Sequence, residues 1–172
     1  MNKHNGFSLI EVLVTLVLVT VGILGMVTMQ SRSIQYTQEA VQRNAAVELT
    51  IQLTEILRSN PDALFYKEDG SAFSPAYAEP SAADCKTPNT AQKQRDCWLE
   101  RVQKTLPGAA GLLSNSFHIC KSFSSSAVKK PNCEANGPIT EIQLAWTVKS
   151  GSCPDVRAPD LTTCIYRTRI EL

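Results

Sequence analysis

The sequence predicts an α+β chain, with a long N-terminal helix packed on a small antiparallel β-sheet domain that carries a short extra helix and disulfide-closed loops. Three observations carry that prediction. Residues 7–29 form one apolar run with Glu11 as its only charged member. Ile34, Val41, Ala45, Leu49, Leu53 and Ile56 then recur at helical spacing, which marks one face of a helix. Near the C-terminus Ile142, Leu144, Trp146 and Val148 alternate with Glu141, Gln143, Thr147 and Lys149, the period of a strand with one buried face.

The apolar run comes first. Its 23 residues rise about 1.5 Å each and so reach across a hydrocarbon core of about 30 Å. A cleaved secretory signal is the competing reading, but such signals have apolar cores of roughly 7–15 residues and end at a small-residue cleavage site. This run passes instead through Gly22 and Gly25 into a polar helical pattern. Neither Pro nor Gly interrupts residues 30–60, so one helix is expected from Phe7 to Arg58 or Ser59, where Pro61 disfavours helical geometry just before it. Such a helix is on the order of 78 Å long. The expected organisation is a leader at 1–6, a transmembrane and assembly helix at 7–29, its amphipathic continuation at 30–60, and a globular domain at 61–172.

Residues 61–89 hold Pro61, Pro75, Pro80, Pro88 and the Asp69-Gly70 turn signal, and read as loop-rich packing. From Thr90 to Leu106 the apolar Cys97, Trp98, Val102 and Leu106 suit a short helix, which Pro107-Gly108 closes. Phe117, Ile119 and Phe123 alternate with Ser116, His118 and Ser122, a strand that leads into the serine run at 124–126. The strand around Ile142–Val148 is expected to pair antiparallel with Cys164–Leu172, where Tyr166, Ile170 and Leu172 oppose Arg167, Arg169 and Glu171.

Charge excludes one class of function. The chain carries 17 Lys plus Arg against 16 Asp plus Glu, and residues 61–172 carry 13 against 12. No basic field is available to hold nucleic acid. Lys129-Lys130-Pro131 reads as solvated loop. His118 stands without a nucleophile or partner motif, and no phosphate-binding loop, zinc-protease or dinucleotide fingerprint is present. The chain is therefore expected to be no enzyme, with no cofactor and no metal.

All six cysteines follow the span: Cys85, Cys97, Cys120, Cys133, Cys153 and Cys164. An even count on one side of a membrane points to disulfides in an oxidising compartment. Of the fifteen ways to pair six cysteines, consecutive pairing closes loops of 12, 13 and 11 residues and is favoured: Cys85–Cys97, Cys120–Cys133 and Cys153–Cys164. Zinc is the weaker alternative, since only His4 and His118 are available and no short paired spacing exists.

The polar leader MNKHNG is followed by Gly6-Phe7-Ser8-Leu9-Ile10-Glu11. This junction resembles the class III signal of type IV prepilins and type II secretion pseudopilins: a Gly before the scissile bond, Phe after it, Glu five residues beyond the Gly, and a long apolar helix. The runs Glu11–Val14, Val21–Gln30 and Arg58-Ser59-Asn60-Pro61, with Cys97-Trp98 and Leu106-Pro107-Gly108-Ala109, are similar to the PilV type of minor pilin, the type IV pilus modification protein PilV family. The resemblance implies the type IV pilin fold. It implies cleavage by a prepilin peptidase between Gly6 and Phe7, and methylation of the new Phe7 amine. Glu11 is expected to pair with that amine on a neighbouring subunit.

The implied role is a minor pilin that primes pilus assembly and sits near the tip. Its partners would be other minor pilins, the major pilin and a large non-pilin tip adhesin, with the bacterial inner membrane holding it before assembly. The expected topology is single-pass, with a cytoplasmic N-terminus and periplasmic domain, and the pilus is the later location. A type II secretion pseudopilin is the alternative, and a DNA- or surface-binding tip pilin is a third reading. Many major pilins carry Pro in the membrane half of this helix; Thr28 lies near that place here.

Overall fold

The computed structural model describes residues 8–61, 77–123, 133–134 and 137–171. Among these the order is α1 (Leu9–Ser59), α2 (Ala91–Thr105), α3 (Ala109–Leu112), β1 (His118–Ser122), β2 (Ile139–Thr147) and β3 (Thr163–Ile170). This is the expected α+β arrangement of the type IV pilin fold: a long N-terminal helix, short helices, a three-stranded antiparallel sheet and three disulfides. Backbone contacts divide the chain into residues 1–38 and 39–172, and α1 begins in the first unit and ends in the second.

In the first unit α1 is continuous helix through Gly22 and Gly25. Thr15, Thr20 and Thr28 turn their hydroxyls back onto the carbonyls of Val12, Val17 and Gly25 at 2.9, 2.8 and 2.7 Å. Each hydroxyl is thereby satisfied within the helix and asks nothing of its surroundings.

In the second unit α1 supplies one wall of the core through Ala46, Leu49, Leu53 and Leu57. The face differs from the expected stripe. Ile34 and Val41 are exposed, Ala45 and Ile56 are only partly covered, and Thr50 and Thr54 are buried instead. The two threonines tolerate burial because their hydroxyls donate to the carbonyls of Ala46 and Thr50, both at 2.8 Å.

Thr90 caps α2, its side chain accepting from the Lys93 N–H at 3.2 Å, which satisfies one of the orphan donors of the first turn. Leu106 is extended and closes the helix, as the residue before Pro107 should be. Gly108 follows with φ 67° and starts α3, an element that the sequence pattern did not reveal. The left-handed Gly108 lets Pro107 come close enough to β2 for its carbonyl to accept from the Thr147 N–H at 2.7 Å.

The sheet order is β1-β2-β3, antiparallel throughout. Trp146 lies opposite Cys164, Leu144 opposite Tyr166 and Glu141 opposite Arg169. The pairing of β2 with β3 is the one expected, and Leu172 lies outside the described residues. Two strand expectations need correction. First, β2 is not half-solvated: Glu141 and Gln143 are 2% exposed and the alternating Ile142 and Leu144 are fully buried, so both faces of this central strand are covered. Second, β1 buries His118 and Ser122, whereas Phe123 lies beyond it and is 55% exposed. His118 is thus a strand residue, as expected, and is buried with its own partner. Asp69-Gly70, Pro75, residues 124–126 and Lys129-Lys130-Pro131 lie outside the described residues.

The apolar core joins α1 to Trp98, Leu99 and Val102 of α2, to Phe117 and Ile119, and to Ile142, Leu144, Trp146 and Ile165 of the sheet. It therefore lies between the second half of α1 and the sheet, as expected.

Candidate functional site

The candidate site is the N-terminal part of α1. Its physical character follows from composition: from Leu9 to Met29 the apolar side chains are exposed, each by 42% or more where large. Apolar patches of that extent on soluble monomers mark contacts with lipid or protein. By length and composition α1 is able to cross a membrane.

Glu11 lies in the first turn of this helix and is exposed. Its backbone N–H donates to the Ser8 carbonyl at 3.0 Å. A carboxylate in the first turn is favoured by the helix dipole, and that is the only local compensation it receives among the described residues. In lipid a carboxylate at the helix centre costs about 2.5–3.5 kcal/mol on insertion scales, so Glu11 is a group in need of a cation or water. Gly6 and Phe7, the expected cleavage and methylation positions, lie outside the described residues.

The cysteines sit far along the chain from this helix end and pair as Cys85–Cys97, Cys120–Cys133 and Cys153–Cys164. Each closes a local loop: the first ties the turn at Ser81–Lys86 to α2, the second follows β1, and the third closes the connection between β2 and β3. With all six thiols oxidised there is no free cysteine among the described residues to act as nucleophile. No group of three His, Cys, Asp or Glu suited to a metal ion occurs there either.

A charged cluster on the sheet escaped the sequence reading. The Glu141 carboxylate lies 3.5 Å from Arg167 Nε and 3.7 Å from Arg169 Nε. Arg167 also donates to Gln143 Oε1 from Nε and Nη2, at 2.8 and 2.6 Å, while Gln143 Nε2 donates to the Ser116 carbonyl at 2.7 Å. Burial pulls the Arg167 guanidinium below its ordinary value, and the charge of Glu141 opposes that pull. The signal available was the alternation itself: Glu141 and Gln143 on one strand face Arg169 and Arg167 on the next.

Residues 1–27 match the prokaryotic N-terminal methylation motif family. No curated protein and no solved structure matches the chain. The motif, with the apolar helix that continues from it, supports a type IV pilin-like prepilin, a pilin or pseudopilin subunit. It implies processing by a prepilin peptidase and assembly with other pilins, and the helix fits anchoring in the inner membrane before incorporation into a pilus.

Proposed function

We propose that the chain is a minor pilin of a type IV pilus, of the PilV type, which primes pilus assembly with other minor pilins and stays near the tip. The observation that carries the reading is the methylation motif at residues 1–27 continuing into an exposed apolar helix. A prepilin peptidase would cut between Gly6 and Phe7, leaving a Phe7 amine for methylation. That amine is an intramembrane cation, and Glu11 is the anion it pairs with on a neighbouring subunit. The match favours neither a pilus nor a secretion pilus on its own.

On this reading the protein is a structural subunit and a substrate of an enzyme, not a catalyst. Its N-terminus faces the cytoplasm and its cysteine-rich domain the periplasm. The apolar helix is stored in the membrane and then packs among the helices of a filament, and a large non-pilin tip adhesin is a candidate partner of the domain.

The test is Glu11→Ala. Removing one member of a buried ion pair leaves the other charge uncompensated, at about 3–5 kcal/mol. The variant should insert in the inner membrane normally and co-purify several-fold less with other pilins. Wild-type co-purification would overturn the pairing. Deletion of the protein should abolish surface piliation and spare type II secretion; the opposite outcome selects a pseudopilin.

A further inference from the structure

The order β1-β2-β3 leaves two outer edges on the sheet, one along β1 and one along β3. Which backbone groups of β3 face outward follows from the ladder. The Val148 N–H donates to the Thr162 carbonyl at 2.8 Å, and bonded pairs in an antiparallel ladder recur every second residue. Cys164, Tyr166, Thr168 and Ile170 therefore bond to β2, while Ile165, Arg167 and Arg169 turn N–H and C=O away from it. Two further bonds agree with this phase: the Thr163 N–H turns outward to Asp160 Oδ1 at 2.8 Å, and the Thr147 N–H turns away from β3 to the Pro107 carbonyl.

Parts of both edges are already taken. On β1 the Lys121 carbonyl accepts from the Glu134 N–H at 2.8 Å. On β3 the start of the strand is closed, since Thr163, Cys164 and Ile165 are buried. From Tyr166 to Ile170 every residue is only half-buried, and among the described residues no backbone group bonds Arg169 from the outer side. Such an open stretch is a template for another strand. Its side chains define what that strand should carry. Arg167 and Arg169 share one face with buried Glu141, whose carboxylate lies 3.5 and 3.7 Å from their Nε atoms, the second distance being beyond hydrogen-bond range. Arg167 donates to Gln143, whereas Arg169 Nε and Nη2 have no hydrogen-bond partner among the described residues. In this cluster two guanidinium groups share one carboxylate. On the opposite face Tyr166 and Ile170 are apolar and partly covered.

We propose that the outer edge of β3 from Tyr166 to Ile170 is a docking edge for an extended segment of a partner protein, one that alternates Asp or Glu with apolar residues. The backbone of that segment would bond the outward groups of β3 and so extend the sheet by one strand. Its carboxylates would lie beside Arg167 and Arg169, where opposite charges across neighbouring strands are favourable, and its apolar side chains would cover Tyr166 and Ile170. A second copy of this chain is the poorer occupant. Antiparallel pairing of two β3 edges centred on the exposed stretch sets Arg167 opposite Arg169 of the other copy, and like charges directly opposite are destabilising. The inference does not depend on the pilus role proposed above.

The test uses the full chain in detergent micelles, amide hydrogen exchange, and capped synthetic peptides that alternate valine with glutamate. At saturation the glutamate peptide should slow exchange at the Arg169 amide at least tenfold. Tyr166 and Thr168, whose N–H groups already bond β2, should keep their rates. No slowing at Arg169 overturns the proposal. A peptide with lysine in place of glutamate should not protect Arg169, and equal protection by both peptides overturns the assigned chemistry. The glutamate peptide with its backbone nitrogens methylated should lose the effect; if it protects Arg169 as well, contact is through side chains and no strand is added. Protection of Arg169 that rises with protein concentration in the absence of peptide gives the edge to a second copy and likewise overturns the proposal. Arg169→Gln should weaken the glutamate peptide at least fivefold, and unchanged affinity counts against the carboxylate pairing. Should that variant fail to fold, the lysine and methylated peptides on the unaltered chain decide.

Discussion

The indole N–H of Trp98 donates to the backbone carbonyl of Leu49 at 2.8 Å, a bond that crosses 49 residues of sequence and fastens α2 to α1. Leu49 is itself 3% exposed and Trp98 likewise, so the bond is made in the apolar core. Buried indoles usually find such a partner, and among the described residues Trp146 Nε1 lacks one. Trp98→Phe keeps most of the ring and deletes the donor, and should cost about 1–2 kcal/mol, read as a fall of about 4 °C or more in the unfolding midpoint. Trp98→Ala also opens a cavity and should cost about 3–5 kcal/mol. A Phe variant as unstable as the Ala variant would mean that ring shape, not the bond, fastens the helices.

Gly108 makes a second junction, between α2 and β2. Its φ of 67° is one that residues with a Cβ rarely adopt, and a Cβ there would meet Thr147 Oγ1 at 2.1 Å. Gly108→Ala should therefore cost about 1–3 kcal/mol from the backbone alone, with the clash added. Thr147→Ala in the same chain should recover part of the loss, because it removes Oγ1 while the Thr147 Cβ at 2.8 Å remains. A double-mutant cycle in urea measures the coupling; a coupling of zero would show that the loop moves away from the strand instead.

How much of this was legible in the sequence depends on range. Short-range rules placed the helix end before Pro61, a short helix between Thr90 and Leu106, and the alternation of β2. Consecutive pairing of the cysteines was legible because each pair closes a short loop. What the pattern hid are features that only tertiary packing decides. Thr50 and Thr54 enter the core because a helix carbonyl four residues back satisfies each hydroxyl, whereas counting apolar residues alone drew the stripe through Ile34 and Val41. Glu141 and Gln143 read as a solvated face, yet arginines from β3 make their burial tolerable. Of the candidate site, Glu11 and its helix were legible from the apolar run and its single charge.

Acid should loosen the domain through identifiable carboxylates. A hydrogen bond from the Lys93 side chain, then bonds from Ser81, hold Asp84 at a pKa of about 2 rather than 3.8. The Arg157 side chain holds Asp155 below its ordinary value, and the Thr162 hydroxyl does so for Asp160. A carboxyl whose folded pKa is depressed adds stability above its unfolded value, and that contribution disappears as pH falls through the folded one. The unfolding midpoint should thus be flat above about pH 5 and fall between about pH 4 and 2. Carboxyl carbon shifts should show Lys93→Gln moving the Asp84 titration back toward 3.8. An unmoved Asp84 would assign the depression to Ser81.

The three disulfides close loops of 12, 13 and 11 residues, so loop entropy alone predicts nearly equal losses, about 3 kcal/mol for each pair changed to alanine. Burial breaks that equality. Cys120 and Cys164 are fully buried, whereas Cys85 and Cys97 are partly exposed. Replacing a buried sulfur by a methyl hydrogen removes core contacts as well as the crosslink. Cys85→Ala with Cys97→Ala should therefore be the mildest change. The pairs that include Cys120 and Cys164 should each cost about 1 kcal/mol more. Urea unfolding followed by the fluorescence of Trp98 and Trp146 gives the comparison, since both indoles are buried in the same core. Three equal losses would show that the crosslinks act on the unfolded chain alone.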